Sequence, residues 1–139
     1  MKTLYTLECK QEYEFIVLAI NSHSKPYTLC WSLNQTPYLN FEKSNYHKID
    51  NKMFFSRYKS EDEEGNVFNL VSNWSTKGYM IPHKRSINYF LIISLDFWKT
   101  KKEVFLDRLR EIKNILLVFE IDLNKEKYSD RFVIYDKKN

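Results

Sequence analysis

Two apolar runs limit the folds open to this chain more than any other feature. The first, EYEFIVLAINS at residues 12–22, alternates apolar side chains onto both faces of an extended strand. The second, INYFLIISL at residues 87–95, contains the most apolar stretch of the sequence. Because successive side chains of a strand point to opposite sides, a strand that is apolar on both sides must be covered on both. The runs predict a central, doubly covered strand at 12–22 and the deepest strand at 87–95.

Two other segments have the spacing and capping residues of helices. Ser24 is a suitable N-cap and Pro26 suits a first turn, so residues 25–35 predict a short helix. Residues 100–103, TKKE, have the form of a capping box and predict a second helix that runs to about Asn114. The expected core stripe of that helix is Phe105, Leu109, Ile112 and Leu116.

The remaining strands complete the predicted fold. Residues 38–75 predict an antiparallel meander, because MFFSRYKS and VFNLVSNW flank the turn sequence EDEEGN at 61–66. A last strand is expected at 115–122, ILLVFEID. The order β-α-β-β-β-β-α-β predicts an α+β fold of one domain, residues 1–139. We expect a two-layer sandwich of a mainly antiparallel sheet with two helices on one face.

Composition favours a cytoplasmic domain without disulfides. The chain has 139 residues, 43% of them hydrophobic, which is enough for a core that needs no covalent staple. No apolar segment follows Met1 as in a secretory signal, and the longest apolar runs are too short to span a bilayer. Cys9 and Cys30 form no CxxC pattern, so we expect reduced thiols that neither ligate metal nor pair.

Positive charge is concentrated in the second half of the chain. The net charge is +4, but residues 1–70 carry 8 cations and 9 anions, whereas residues 71–139 carry 14 cations and 9 anions. Richness in Lys, Asn, Ile, Tyr and Phe is typical of AT-rich codons, which explains part of the lysine content. Codon bias acts on both halves alike, so the asymmetry itself remains a feature of the protein.

One motif resembles a known family. IPHKRSINY, at residues 81–89, is similar to the signature of the IPExxxVDY family, a group of short bacterial proteins without an assigned activity. The segments AINSHSKPYTLCWSLN, SNWSTKGYMIP and VFEID also resemble parts of that family, so the likeness covers most of the chain. The resemblance implies a single domain and supplies no catalytic role.

The match differs from the family signature at two carboxylates. Ile81, Pro82 and Tyr89 agree with it, and Ile87 stands where the signature has valine. His83 stands at the glutamate and Asn88 at the aspartate, and no general acid, general base or hard-metal ligand formed by those two carboxylates would survive both changes unaltered. Either the motif is structural or this member has lost an activity. We favour a structural motif that leads into the 87–95 strand, made of Ile81, Pro82, Ile87, Asn88 and Tyr89.

Other polar groups each have two interpretations. His83, Lys84 and Arg85 form either an anion-binding loop or a solvated turn fixed by Pro82, and we favour the turn. The acidic residues 61–64 lack the spacing of a calcium loop and are more simply a hairpin tip. His23, His47 and His83 show no HxxxH or HExxH spacing, so the sequence predicts no metal site.

Two surfaces are candidates for binding. Tyr27, Trp31 and Asn34 share a helix edge that is either core rim or a patch for a protein partner, and we favour core rim. The second helix collects many cations beside Phe97 and Trp98, as nucleic-acid grooves do, but acidic residues are interleaved. These cations are Lys99, Lys101, Lys102, Arg108, Arg110 and Lys113.

The sequence therefore predicts a non-catalytic protein-interaction module with a protein partner. The alternative is an RNA-associated accessory protein that binds through the basic 99–113 helix, and an enzyme is the third choice. No P-loop or GxGxxG occurs among two glycines, so no cofactor is expected. The candidate binding residues are Tyr27, Trp31, Asn34, His83, Lys84, Arg85, Lys102, Arg108 and Arg110.

Overall fold

The structure is a computed structural model that describes residues 12–135, so Cys9 lies outside the described residues. The strands within this range are β1 Phe15–Asn21, β2 Glu42–Lys43, β3 His47–Ile49, β4 Met53–Phe55, β5 Arg57–Glu61, β6 Val67–Ser72, β7 Trp74–Ser75, β8 Gly78–Tyr79, β9 Tyr89–Ser94 and β10 Leu117–Glu120. The helices are α1 Pro26–Leu33, α2 Leu95–Arg110 and a 3-10 helix Ser129–Phe132.

The main sheet is antiparallel and has the order β10-β1-β9-β6-β5-β2. Strand β1 lies between β10 and β9, with Ala19 opposite Phe119 on one side and Phe90 on the other. Residues 16–20 are all buried. The prediction of a central, doubly covered strand is therefore confirmed. Two hairpins, β3–β4 and β7–β8, stand outside this sheet.

Separate cores lie on the two faces of the sheet. On one face, Leu18 of β1 packs with Leu29 and Leu33 of α1 and with Phe105 of α2. Both helices thus cover the same face, and the predicted α+β sandwich is confirmed. On the other face, Val17 and Ala19 lie in a core that contains Met80, Ile81 and Phe132. The β3–β4 hairpin, the loop after β8 and the 3-10 helix cover this second face.

The predicted start of α2 is wrong. The helix begins at Leu95, directly after β9, and Ser94 is its N-cap residue without a side-chain capping bond. Thr100 lies inside the helix, where its hydroxyl donates to the Phe97 carbonyl at 3.2 Å, so TKKE is not a capping box. Phe97 and Trp98 are buried against the sheet, and burial of two large rings outweighs one cap of about 1 kcal/mol.

Other boundaries also differ from the predictions. Lys25, not Ser24, is the N-cap residue of α1. Because α2 ends at Arg110, Leu116 is not part of its core stripe and is 60% exposed. MFFSRYKS is divided at Ser56 into β4 and β5, which belong to different sheets, and VFNLVSNW is divided at Asn73. The hairpin around residues 61–66 is as predicted, with Gly65 at φ +84°.

Candidate interaction surface

Asn73, the residue directly after strand β6, organises the 81–89 loop through its hydrogen bonds. It is fully buried, and its amide NH₂ donates to the carbonyls of Lys84 at 3.0 Å and Ile87 at 2.9 Å. Its side-chain oxygen accepts the Ile81 N–H at 3.0 Å, and its backbone carbonyl accepts the Met80 N–H at 2.8 Å. One side chain thus satisfies three backbone groups of the loop. The sequence interpretation missed Asn73, although it lies in the SNWSTKGYMIP segment.

The second half of the loop is tied to the end of β1. The Asn88 side-chain oxygen accepts the Ser22 N–H at 2.8 Å, and the Asn88 N–H donates to the Ile20 carbonyl at 3.0 Å. The buried Tyr89 hydroxyl donates to the Ser24 carbonyl at 2.7 Å, and burial raises the pKa of Tyr89 to about 12. Asn88 and Tyr89 therefore have structural contacts, as we expected of the motif.

The rest of the motif divides into buried and exposed positions. Ile81 and Ile87 are buried in the second core, whereas Pro82 is exposed. Arg85 lies over the Tyr79 ring, with its guanidinium carbon 5.4 Å from the ring centre. These positions support the interpretation of IPHKRSINY as a structural motif that leads into β9.

His83 and Lys84 contact the carboxylate of Glu126, which lies far from them in the sequence. The Glu126 side chain is 1% exposed, and one of its oxygens lies 3.2 Å from His83 Nε2 and 3.1 Å from Lys84 Nζ. The other accepts the Tyr128 N–H at 3.0 Å. Burial opposes the ionisation of Glu126, but the Tyr128 N–H and the Lys84 ammonium outweigh burial, so the pKa of Glu126 is lowered. No sequence pattern in the 81–89 loop predicted that Glu126 would contact it.

The aromatic and charged side chains around Glu126 contact one another. The His83 ring stacks on Tyr128 with ring centres 5.9 Å apart, and Arg131 covers the Tyr128 ring at 4.5 Å. The Arg131 guanidinium also donates to the Met80 carbonyl at 2.7 Å. Lys84 thus balances a buried carboxylate, and His83 packs on a ring beside the 3-10 helix, which favours a structural role over an anion-binding one.

Other titratable groups are also engaged in the fold. His47 is buried with its Nε2 2.5 Å from the Arg131 carbonyl, and burial lowers its pKa. Burial raises the pKa of the Cys30 thiol to about 12. At the hairpin tip, one Asp62 oxygen accepts the N–H groups of Glu64 and Asn66, both at 2.9 Å. Within residues 12–135, no three His, Cys, Asp or Glu side chains form a group suited to a metal ion.

The aromatic edge of α1, formed by Tyr27 and Trp31, faces outward. Tyr27 is 81% exposed and Trp31 is 62% exposed, although the same helix buries Leu29 and Leu33. Asn34 does not extend this surface, because its side chain binds the backbone of Phe41, donating at 3.2 Å and accepting at 2.6 Å. The core-rim interpretation that we favoured is therefore wrong for Tyr27 and Trp31, whose rings are exposed on the surface.

A groove of about 950 Å³ begins beside the first turn of α1. Its lining includes Pro26 and three exposed aromatic side chains: Tyr46 (53%), Phe54 (47%) and Trp74 (58%). Within the described part of the chain, the polar lining consists of hydroxyl, amide, histidine and lysine side chains without a carboxylate: Ser22, His23, Ser24, Lys48, Ser56, Ser72, Ser75, Thr76 and Asn88. The sequence interpretation missed this groove because its lining comes from five separate segments.

The cations of α2 do not share one face. At 100° per residue, Arg108 lies about 160° around the helix axis from Arg110, and the exposed Glu103 and Asp107 lie between them. Lys102 lies on the Arg110 side, with its ammonium 4.0 Å from Glu120. Carboxylates therefore interrupt the basic surface that the sequence suggested.

Comparisons with protein-family models, with curated proteins and with solved structures find no match to this chain. The resemblance to the IPExxxVDY family therefore rests on the sequence segments alone and stays a prediction. Among the described residues, no helix is both long enough and apolar enough to cross a membrane.

Proposed function

We propose that the protein is a non-catalytic interaction module that binds a protein partner through the aromatic edge of α1. The observation that carries this proposal is the exposure of Tyr27 and Trp31 on a helix whose apolar side is already buried. Neither ring is needed for the core that α1 helps to build. Tyrosine and tryptophan are the side chains that most often dominate binding energy at protein interfaces.

The neighbouring groove suggests how a partner would be held. Pro26 lines the groove and precedes Tyr27, so the aromatic edge and the groove adjoin. Tyr46, Phe54 and Trp74 offer apolar contact, and the hydroxyl groups offer hydrogen bonds. Among the described residues that line the groove, Lys48 is charged and none is a carboxylate, so an extended segment with acidic side chains is the complementary ligand.

The contacts that the polar side chains of the loop make within the fold support a non-catalytic role. Lys84 and His83 contact the buried Glu126, and Asn88 binds the backbone of Ser22. A general base must reach a substrate proton, and these contacts direct the groups into the fold instead.

Binding of RNA through α2 remains the alternative. Phosphate recognition is strongest when cations form a continuous surface, and carboxylates separate Arg108 from Arg110. This division is why we rank a protein partner above RNA.

The test is photo-crosslinking from position 31 in a lysate of the source cells. A benzophenone amino acid replaces Trp31, and the matched control carries it in place of Val104, which is 50% exposed on α2. We expect a ribonuclease-resistant, protease-sensitive adduct from position 31 and none from position 104. Tyr27→Ala with Trp31→Ala should weaken capture of that partner at least 30-fold, the equivalent of a hot spot of about 2 kcal/mol. A nuclease-sensitive adduct would favour RNA, and equal labelling from both positions would overturn the proposal.

A further inference from the structure

Residues 122–134, which we call the strap, lie over the second face of the main sheet and include the 3-10 helix. The Phe132 side chain is fully buried in the second core, and its ring centre lies 5.0 Å from that of Phe90 in β9. Leu123 is buried in the same core. The strap therefore covers part of the apolar face to which Val17 of β1 belongs.

The backbone of the strap bonds to itself rather than to the sheet. The last backbone bond to β1 comes before the strap, from the Ile121 N–H to the Val17 carbonyl at 2.9 Å. Within the described residues, the backbone–backbone hydrogen bonds of the strap are internal: Lys125 and Glu126 donate to Asp122, Ser129 to Glu126, Arg131 to Tyr128 and Val133 to Asp130. A segment that is joined to a fold through side-chain contacts can open as a local unit while the sheet stays intact.

Polar side chains attach the strap at separate points along its length. The Glu126 carboxylate, which is 1% exposed, lies 3.1 Å from the Lys84 ammonium of the 81–89 loop. The Ser129 hydroxyl lies 2.8 Å from the Tyr13 hydroxyl, which precedes β1. These contacts reach different elements of the fold, so the loss of one of them weakens the attachment of the whole segment.

His47 of β3 attaches the strap through a buried imidazole. Its Nε2 N–H donates to the Arg131 carbonyl at 2.5 Å, and its side chain is buried. Burial disfavours the charged ring, the Arg131 carbonyl partly opposes burial, and the Arg57 guanidinium of β5 adds repulsion, so the pKa of His47 is lowered. Opening of the strap removes Arg131 from the ring and admits water, which relieves the penalty on the charged form.

We propose that the strap is a proton-sensitive segment that opens from the sheet in acid, with His47 as the sensing residue. A ring that is more basic in the open state takes up a proton on opening, so opening becomes more favourable as pH falls below the ordinary histidine value of 6.5. Glu126 adds to this effect only below its ordinary value of 4.5, because its pKa is lowered in the closed state. Linkage to the His47 proton gives at most about 25-fold more opening at pH 5 than at pH 7.

His83 has the opposite expected effect. Its Nε2 lies 3.2 Å from the Glu126 carboxylate, where a charged ring is favoured, so its protonation holds the strap closed. The two histidines that contact the strap can therefore be distinguished by the direction in which each changes its opening.

Hydrogen exchange of backbone amides in the full chain, corrected for the intrinsic rate at each pH, measures opening of the strap. We expect the Glu126, Arg131 and Val133 amides to exchange at least about tenfold faster than those of β1 and β9. Their protection should fall at least about threefold from pH 7 to pH 5. His47→Gln keeps a neutral donor for the Arg131 carbonyl, so its strap protection should change less than about twofold. The matched control His83→Gln should lose at least as much protection as wild type.

Ser129→Ala tests whether the strap opens as one unit. Loss of the contact with Tyr13 should speed exchange of the Glu126 and Val133 amides alike, by roughly two- to tenfold at each pH, and leave β1 and β9 unchanged. Faster exchange confined to one end of the strap would contradict a single opening unit.

Three results overturn the proposal. They are equal protection of strap and sheet amides, strap protection in wild type that does not change with pH, and a pH effect that persists in His47→Gln or disappears in His83→Gln. If circular dichroism shows that His47→Gln does not fold, the pH effects in wild type and His83→Gln and the result for Ser129→Ala decide. The measurement uses no partner, so its outcome is independent of the proposed function.

Discussion

Replacing Asn73 by alanine should destabilise the protein more than its small size suggests. The change removes three hydrogen bonds, of which those to Ile87 and Ile81 are buried and that to Lys84 is partly buried. A buried polar group without a partner costs about 1–3 kcal/mol, and the partly buried carbonyl can find water instead. We therefore expect a loss of about 3–5 kcal/mol in the free energy of unfolding.

The expected shift in melting temperature follows from the size of the chain. An unfolding entropy of about 2.1 cal/mol/K per residue over 139 residues gives about 0.29 kcal/mol/K, so Tm should fall by about 10–17 °C. Urea denaturation and calorimetry measure both quantities. The matched control is Asn124→Ala, at an exposed position, which should stay within about 0.5 kcal/mol of wild type.

Asn73→Asp separates loss of the bonds from loss of volume. Aspartate keeps the acceptor for the Ile81 N–H but turns a carboxylate toward the carbonyls of Lys84 and Ile87. Burial next to carbonyl oxygens raises the pKa of such a carboxyl in the folded state, so its destabilisation relative to wild type should lessen as pH falls. An Asn73→Ala protein that melts within about 3 °C of wild type would refute the assignment of Asn73 as the organiser of the loop.

Two further predictions concern the loop. Tyr89→Phe removes the hydroxyl that donates to the Ser24 carbonyl and should lower the free energy of unfolding by about 1 kcal/mol, as measured by urea denaturation. Tyr89→Ala should lower it by about 3–5 kcal/mol. A Tyr89→Ala protein as stable as wild type would contradict a structural role. Because the pKa of Glu126 is lowered in the folded state, its stabilisation is present above the ordinary glutamate value of 4.5 and is lost as pH falls through the folded pKa. The difference in free energy of unfolding between wild type and Glu126→Gln should therefore be largest near neutrality and smaller in acid. Urea titration at several pH values measures this difference. A difference that does not change with pH would contradict the ion pair with Lys84.

Features that depend on neighbouring residues were predictable from the sequence. The alternation of residues 15–20 identified a strand covered on both faces, because apolar period and burial are linked through strand geometry. The turn at 61–66 was also predictable, since Asp62, Gly65 and Asn66 carry their turn chemistry locally. The α+β class followed from the order of such elements.

Features that depend on distant residues were decided only by the tertiary structure. Glu126 lies 43 residues beyond His83 in the sequence, and no local pattern links them. The exposure of Trp31 depends on which elements surround α1, and helical spacing is the same for a packed and an exposed ring. The start of α2 was mispredicted because a capping pattern contributes only about 1 kcal/mol, whereas burial of Phe97 and Trp98 contributes several. Local sequence preferences are compatible with more than one structure, and the larger free energies of long-range packing determine which structure forms.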